Sequence, residues 1–295
     1  MRYTVFSSGS AGNCSLLRTN ELNILIDAGI SKKQIEECLS SLNLTINDID
    51  YLFITHEHID HIRAFSQLIK LPKLKVIISK GTLKWITDYA RDHYKVKDLE
   101  NVSYKLQTNM IKEIERIDDT IMYPTIDFNS LKVTILPLFH DAAEPIGFLF
   151  EEDNKKLCYI TDTGYVHSDL MPLINNCEAY VLESNHDPEL LMASDRPYYT
   201  KLRIIGDHGH ISNEDSMYLL SRSIGDKTNL VMHAHVSQEC NLSFLIENKR
   251  KEVFKQYNVK DENIDFVILG LAPTKEYLIW KLLYWVSVQL KKNIL

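Results

Sequence analysis

Glycine and proline are scarce in this chain, ten and eight of 295 residues, which excludes collagen-like and low-complexity architectures. Cysteine is scarcer: Cys14, Cys38, Cys158, Cys177 and Cys240 are odd in number, widely spread and form no C-x-x-C pair. That pattern argues against a disulfide framework and for a reducing, cytoplasmic compartment. Excess positive charge is also missing. The formal net charge is −7, so a nucleic-acid partner has to be met by a local basic patch. No long apolar run exists. The richest window, Tyr277 to Leu290, is short and contains Lys281 and Gln289, too polar to span a bilayer. The opening MRYTVFSSGS has one basic residue and no sustained apolar stretch, so no signal peptide and no membrane association are expected.

What remains is ordinary globular material, 45% hydrophobic and 25% charged. Without repeats or linkers, a single domain over 1–295 is expected. A C-terminal extension from about residue 272 should pack on it. Leu278, Leu282, Trp285 and Gln289 fall there at helical spacing, which suits a helix packed on the body or, alternatively, a dimer contact. Short β-branched and aromatic runs predict strands at 3–6, 23–27, 51–55, 75–79, 132–138, 146–151, 156–161, 179–183, 229–233 and 265–269. Amphipathic stretches predict helices at 31–42, 60–71, 82–93, 168–174, 212–223 and 242–256. The fifth opens on Ser212 with Asp215 three residues on, a short-acid variant of the capping box. The interleaving implies a mixed α/β protein with layered sheets.

One stretch carries chemistry. Directly after the apolar run YLFI stands Thr55-His56-Glu57-His58-Ile59-Asp60-His61, with an H-x-H-x-D-H pattern. With 11 histidines in the chain, three at fixed spacing arise by composition alone about 0.01–0.02 times, so a solvated loop of ordinary histidines is a poor explanation. A zincin helix is excluded by register, because Asp60 stands where H-E-x-x-H needs other spacing. His56 and His58 can converge on one ion from an extended loop, and Asp60 and His61 then project toward a second. Imidazoles with a carboxylate and no thiolate suit Zn²⁺, Mn²⁺ or Fe²⁺, and argue against a closed structural zinc site. The remaining ligands should sit at strand ends, where side chains are held firmly. Three apolar runs end suitably: one in His140, one in Asp162, one in the pair His233 and His235.

This ordered series resembles the metallo-β-lactamase superfamily over roughly residues 3 to 270. The resemblance implies an α+β fold, a four-layer αββα sandwich with a binuclear metal site at one edge. By position it makes His56, His58 and His140 ligands of the first metal. It makes Asp60, His61 and His235 ligands of the second, with Asp162 as the bridge. His235 is preferred to His233 because His235-Val-Ser matches the family's H-x-S ending.

Three further segments narrow the branch: the turn Ser7-Ser8-Gly9-Ser10-Ala11-Gly12-Asn13, then Glu183-Ser184-Asn185-His186-Asp187, then His208-Gly209-His210-Ile211-Ser212-Asn213. In this order they are similar to the YycJ-type (WalJ) exonucleases, relatives of ribonuclease Z without its exosite arm. The spacing from His140 to Phe148 fits as well. Arg63-Ala64 departs from the usual glycine-bearing turn, which touches helix packing and not the ligands. The implied activity is a metal-dependent phosphodiesterase acting on nucleic acid, a 5′→3′ DNA exonuclease, with DNA preferred to RNA. Two ions can present a hydroxide to phosphorus and clamp the phosphoryl oxygens. Asp60 orients that hydroxide, and His210, oriented by Glu183, protonates the leaving alkoxide. Simpler roles are a helix cap for His210 and a buried structural acid for Glu183.

Ser10, Asn13, Asn185 and Asn213 are candidate substrate contacts on the same resemblance. Arg196, Lys201 and Arg203 can track a phosphate backbone and Tyr198 and Tyr199 can stack bases, unless the stretch is simply a solvated loop. The alternatives are a small-molecule hydrolase on the same fold, cleaving a cyclic phosphate or a thioester, and a non-catalytic metal-binding regulator. The full ligand set argues against the regulator.

Overall fold

A computed structural model describes residues 1–93, 96–107, 111–114 and 123–279. Its strands are Arg2–Ser7 (β1), Cys14–Arg18 (β2), Asn23–Ile26 (β3), Tyr51–Phe53 (β4), Lys75–Ser79 (β5), Ile111–Ile114 (β6) and Thr125–Phe128 (β7), followed by Leu131–Pro137 (β8), Ile146–Glu152 (β9), Lys155–Ile160 (β10), Ala179–Glu183 (β11), Leu230–Ala234 (β12), Asp265–Ile268 (β13) and Tyr277–Leu278 (β14). The helices are Lys32–Ser41 (α1), Ile59–Ile62 (α2), Phe65–Leu68 (α3), Lys80–His93 (α4), Val96–Gln107 (α5), Met171–Ile174 (α6), Pro188–Ala193 (α7), Tyr198–Ile205 (α8), Asn213–Ser223 (α9) and Ser243–Gln256 (α10).

The strands form two seven-stranded sheets, ordered β14-β1-β2-β3-β4-β5-β6 and β13-β12-β11-β10-β9-β8-β7. Each sheet is antiparallel at first and then parallel: β1 to β3 and then β3 to β6 in one, β7 to β10 and then β10 to β13 in the other. Both faces of both sheets are covered, which explains why the central strands read as unbroken apolar runs instead of alternating. Between the sheets, Leu17, Ile26 and Phe53 meet Val133, Phe148, Phe150 and Val181. Outside the first sheet, Leu25, Leu52 and Val76 pack with Ile35 and Leu39 of α1 and Leu68 of α3. Outside the second, Cys158, Tyr180 and Val231 pack with Met217 and Leu220 of α9 and Ile246 and Val253 of α10. Three apolar layers separate four structural ones, so the expected αββα sandwich is the fold.

Some elements differ from expectation. The helix expected over 60–71 is broken at Arg63-Ala64 into α2 and α3: the Ala64 N–H leaves the helix to donate to the Ala28 carbonyl at 2.8 Å. The segment around Arg196 to Arg203 is not simply a loop: from Tyr198 onward it is helix α8. Leu278, expected at the start of a helical tail, lies in β14, where Tyr277 and Leu278 pair antiparallel with Tyr3 and Arg2. An uncovered β1 edge would present unpaired backbone groups, and this short strand closes it. Leu282, Trp285 and Gln289 lie outside the described residues. Among the described residues, no helix is long and apolar enough to cross a membrane.

Candidate metal centre

The functional side chains collect at the C-terminal ends of strands in both sheets, where open α/β sheets place their sites. β3 leads into Asp27, β4 into Thr55–His61, β8 into His140, β10 into Asp162, β11 ends in Glu183 and β12 leads into His235. Asp27, Asp162 and His235 each take a left-handed backbone, with φ of 59°, 56° and 50°. A non-glycine residue in that region is uncommon and costs of order 1–3 kcal/mol, which the surrounding structure must supply. Here the turn stops each strand abruptly and directs its last side chain into the cluster.

Side-chain nitrogens and oxygens of His56, His58 and His140 converge within 4.8 Å of one another, and so do those of Asp60, His61 and His235. Asp162 groups with His56 and His61, one member of each triad. The sequence-predicted seven therefore come together as two triads with a carboxylate between them. Four of the five imidazoles, all but His58, are held by their far nitrogen. His61 Nδ1 lies 2.7 Å from Asp27 Oδ2, and His140 Nδ1 lies 2.9 Å from the Gly209 carbonyl. His235 Nδ1 lies 2.9 Å from Glu183 Oε1, and His56 Nδ1 is 3.1 Å from the Thr55 hydroxyl. Such contacts fix the tautomer and leave Nε2 as the donor atom.

The chemistry of this set fits a pair of cations. Among the seven candidate ligands, three buried atoms have no hydrogen-bond partner: His56 Nε2, His235 Nε2 and Asp162 Oδ2. Buried polar atoms are seldom left unpaired, and these come from both triads and the residue between them. Burial and the neighbouring imidazoles push His56 well below its usual range, and burial lowers His140 too, so lone pairs are available there. At the other triad burial opposes protonation, but Asp162, Asp27 and Asp60 outweigh it and push His61 up to about 9. His235 is likewise raised against its burial, chiefly by Asp162 with Asp60 and Glu183. That end attracts positive charge, which a divalent ion supplies by displacing protons.

Backbone contacts hold the loops together. Ala28 N–H donates to the His61 carbonyl at 2.7 Å, Gly29 N–H to Asn13 at 2.8 Å, and Asn13 N–H to Asp60 at 2.7 Å. A Cβ on Gly29 would lie 1.5 Å from the Asp60 carbonyl oxygen, so only glycine permits this approach. Glu57, buried inside the histidine motif, accepts from the Ala143 N–H at 2.6 Å and the Thr82 hydroxyl at 3.1 Å, tying the motif to the loop after His140 and to α4.

Beside the triads a cleft of about 240 Å³ is lined by Ser10, Asn185, His186, Arg196, Arg203 and His210, among others. His210 Nδ1 lies 2.7 Å from Glu183 Oε1, the oxygen that also serves His235. The other Glu183 oxygen accepts from the N–H groups of Thr163 and Ile211, and the carboxyl stays ionised despite full burial because His210 and His235 surround it. Arg196 pairs with Glu239 at 2.8 Å, and Arg203 pairs with Asp141, which itself lies 3.2 Å from His140 Nε2.

Three residues expected to touch substrate do not reach this cleft. Lys201 is buried, with Nζ donating to the Met192 and Ser194 carbonyls at 2.7 and 2.6 Å, where it caps α7. Asn213 is buried and exchanges hydrogen bonds with Asn241 at 2.9 and 2.8 Å. Asn13 turns inward, 3.2 Å from Asp60 Oδ2 and 3.0 Å from His61 Nε2. Asp27, Glu57 and Asp141 went unassigned in the sequence. Only Asp27 carries a local signal, as a charged residue ending an apolar strand before Ala-Gly. Glu57 is tied to Thr82 and Ala143, and Asp141 to Arg203 besides its neighbour His140, partners that sequence spacing does not bring together.

A family model described as a β-lactamase superfamily domain matches residues 22–234. The chain belongs to the metallo-β-lactamase superfamily. It is a hydrolase of that superfamily, with a His/Asp cluster suited to metal. It is 33% identical over 256 residues to exodeoxyribonuclease YycJ of Bacillus anthracis, covering 87% of this chain and 90% of that one. It is 31% identical over 274 residues to exodeoxyribonuclease WalJ of Streptococcus pneumoniae, covering 92% and 94%. Human tRNase Z, short form, superposes with a TM-score of 0.57 at 18% identity, covering 81% of this chain and 93% of that one, a likeness of fold.

Proposed function

We propose that the protein is a cytoplasmic phosphodiesterase that degrades DNA from the 5′ end, using two transition-metal ions. The observation that carries this reading is the pair of triads with Asp162 between them, set beside a cleft lined by His210, whose ring is held from behind by Glu183. The naming of the YycJ and WalJ relatives as exodeoxyribonucleases supports DNA as substrate. Five free cysteines agree with a reducing compartment.

His56, His58 and His140 would hold one ion, and Asp60, His61 and His235 the other, with Asp162 shared. Bound Zn²⁺, Mn²⁺ or Fe²⁺ supplies Lewis acidity and a nucleophile at neutral pH. The chain's own residues do the rest. Asp60, 3.6 Å from both His61 Nε2 and His235 Nε2, orients the attacking group. Glu183 fixes the His210 ring through Nδ1, so the proton on its other nitrogen is the one delivered to the departing sugar oxygen. Arg196 and Arg203 hold the flanking backbone by exchanging their carboxylate partners for phosphates.

The test is turnover by protein loaded with Zn²⁺ or Mn²⁺ and offered 5′-labelled DNA, RNA, bis(4-nitrophenyl) phosphate and a glutathione thioester. DNA should shorten from its 5′ end faster than RNA. Thioester cleavage without phosphodiester cleavage would replace this reading with a small-molecule one.

A further inference from the structure

His186 has no role in either triad, yet it is built like a ligand-binding residue. Its ring lines the same cleft as Asp60, Asp162 and His210, and the residue is 2% exposed. The ring makes no hydrogen bond among the described residues, and its Nδ1 is wholly buried without a partner. The other ring nitrogens left in that condition, on His56 and His235, belong to the triads. An imidazole always carries at least one N–H, and burying it without an acceptor costs free energy that an incoming anion would recover.

The backbone around His186 is tied to two neighbouring segments. Its carbonyl accepts from Asn213 N–H at 2.9 Å, its chain bridges to Ser212, and Asp187 N–H donates to Cys240 at 2.9 Å. Arg196 lines the same cleft, and its carboxylate partner Glu239 is largely exposed. An exposed pair of that kind is weak and readily exchanged. The Ser10 and Ser237 hydroxyls share the lining.

We infer that His186 and Arg196 form a phosphate subsite beside the metal centre, one that binds a substrate phosphate other than the one being cleaved. The inference rests on the nuclease reading and deepens it. Two donors on one anion suit a phosphate, and a terminal phosphomonoester, with about −1.5 to −2 charge near neutral pH, suits them better than an internal diester with one charge. A subsite selective for that terminus would also give the enzyme a reason to begin at an end.

The experiment compares metal-loaded wild type, His186→Ala, His186→Gln and Arg196→Gln on a 5′-phosphorylated oligonucleotide, the same oligonucleotide with a 5′-hydroxyl, and bis(4-nitrophenyl) phosphate. Metal content is measured in parallel. His186→Ala and Arg196→Gln should each raise KM for the phosphorylated oligonucleotide about tenfold more than for the small diester, which has a single phosphate, while metal content stays at the wild-type level. His186→Gln, which keeps a donor, should fall between. An effect confined to the 5′-phosphorylated strand assigns the subsite to the terminal phosphate; an equal effect on both strands assigns it to an internal one. Equal KM shifts on oligonucleotides and small diester, or none in the surface variant Arg196→Gln, would overturn the subsite and leave the nuclease reading standing. Failure of the wild type to cut DNA would remove both.

Discussion

At Glu183 one carboxylate oxygen serves two imidazoles, His210 at 2.7 Å and His235 at 2.9 Å. Residue by residue, this sharing sets what each substitution should do. His210→Ala removes the proposed acid alone, so it should retain metal and lose roughly 10²–10⁴-fold in rate on DNA, the usual scale of general-acid catalysis. It should keep most of its rate on bis(4-nitrophenyl) phosphate, whose nitrophenolate leaves without a proton. Equal losses on both substrates would make His210 a positioning group or a cap. From the sequence, Glu183 serves His210 only, and adding Glu183→Ala to His210→Ala would cost little more. The geometry reverses that expectation. Glu183→Ala also frees His235, so the double variant should bind less metal than His210→Ala, as elemental analysis would show. The seven candidate ligands were legible because H-x-H-x-D-H is dense and the others end apolar runs. The sharing at Glu183 was not legible, since it depends on where β11 and β12 place side chains 52 residues apart.

At the scale of elements, the site depends on how strands stop. Three strand ends turn left-handed at Asp27, Asp162 and His235, and the loops beyond them are joined by backbone contacts that leave no room at Gly29. Gly29→Ala places a methyl group against the Asp60 carbonyl and must push the 60–64 segment away. We expect a lower Tm and weaker binding at the Asp60–His61–His235 triad, read by thermal unfolding and by metal titration; unchanged affinity would separate that turn from the site. The buried central strands were legible as apolar runs. The edge strands β6, β7 and β14 were not predicted, being short and weakly alternating; β2, inside the first sheet, was missed because Leu16-Leu17 is its only strongly apolar stretch. Helix α8 begins after Pro197 within a polar, basic stretch, and only its packing shows that Lys201 is an internal cap and not a cleft residue.

At the scale of the whole molecule, a net charge of −7 gives no general attraction for a DNA backbone, and under the proposed function Arg196 and Arg203 at the cleft would supply the cationic contacts. Two such contacts predict that DNA affinity falls roughly tenfold between 50 and 200 mM salt, through lost counterion release. Turnover of bis(4-nitrophenyl) phosphate should change far less, and equal salt dependence would favour a small substrate. The two sheets place the H-x-H-x-D-H motif, which supplies members of both triads, after β4 and Asp162 after β10, so the centre spans the sandwich edge and joins the halves. Its nuclearity is the central claim. Elemental analysis of loaded protein, taken alongside its rate on DNA, should give two transition-metal ions per chain at full activity, with both sites weakened together in Asp162→Asn. Full activity with a single ion per chain would contradict the account.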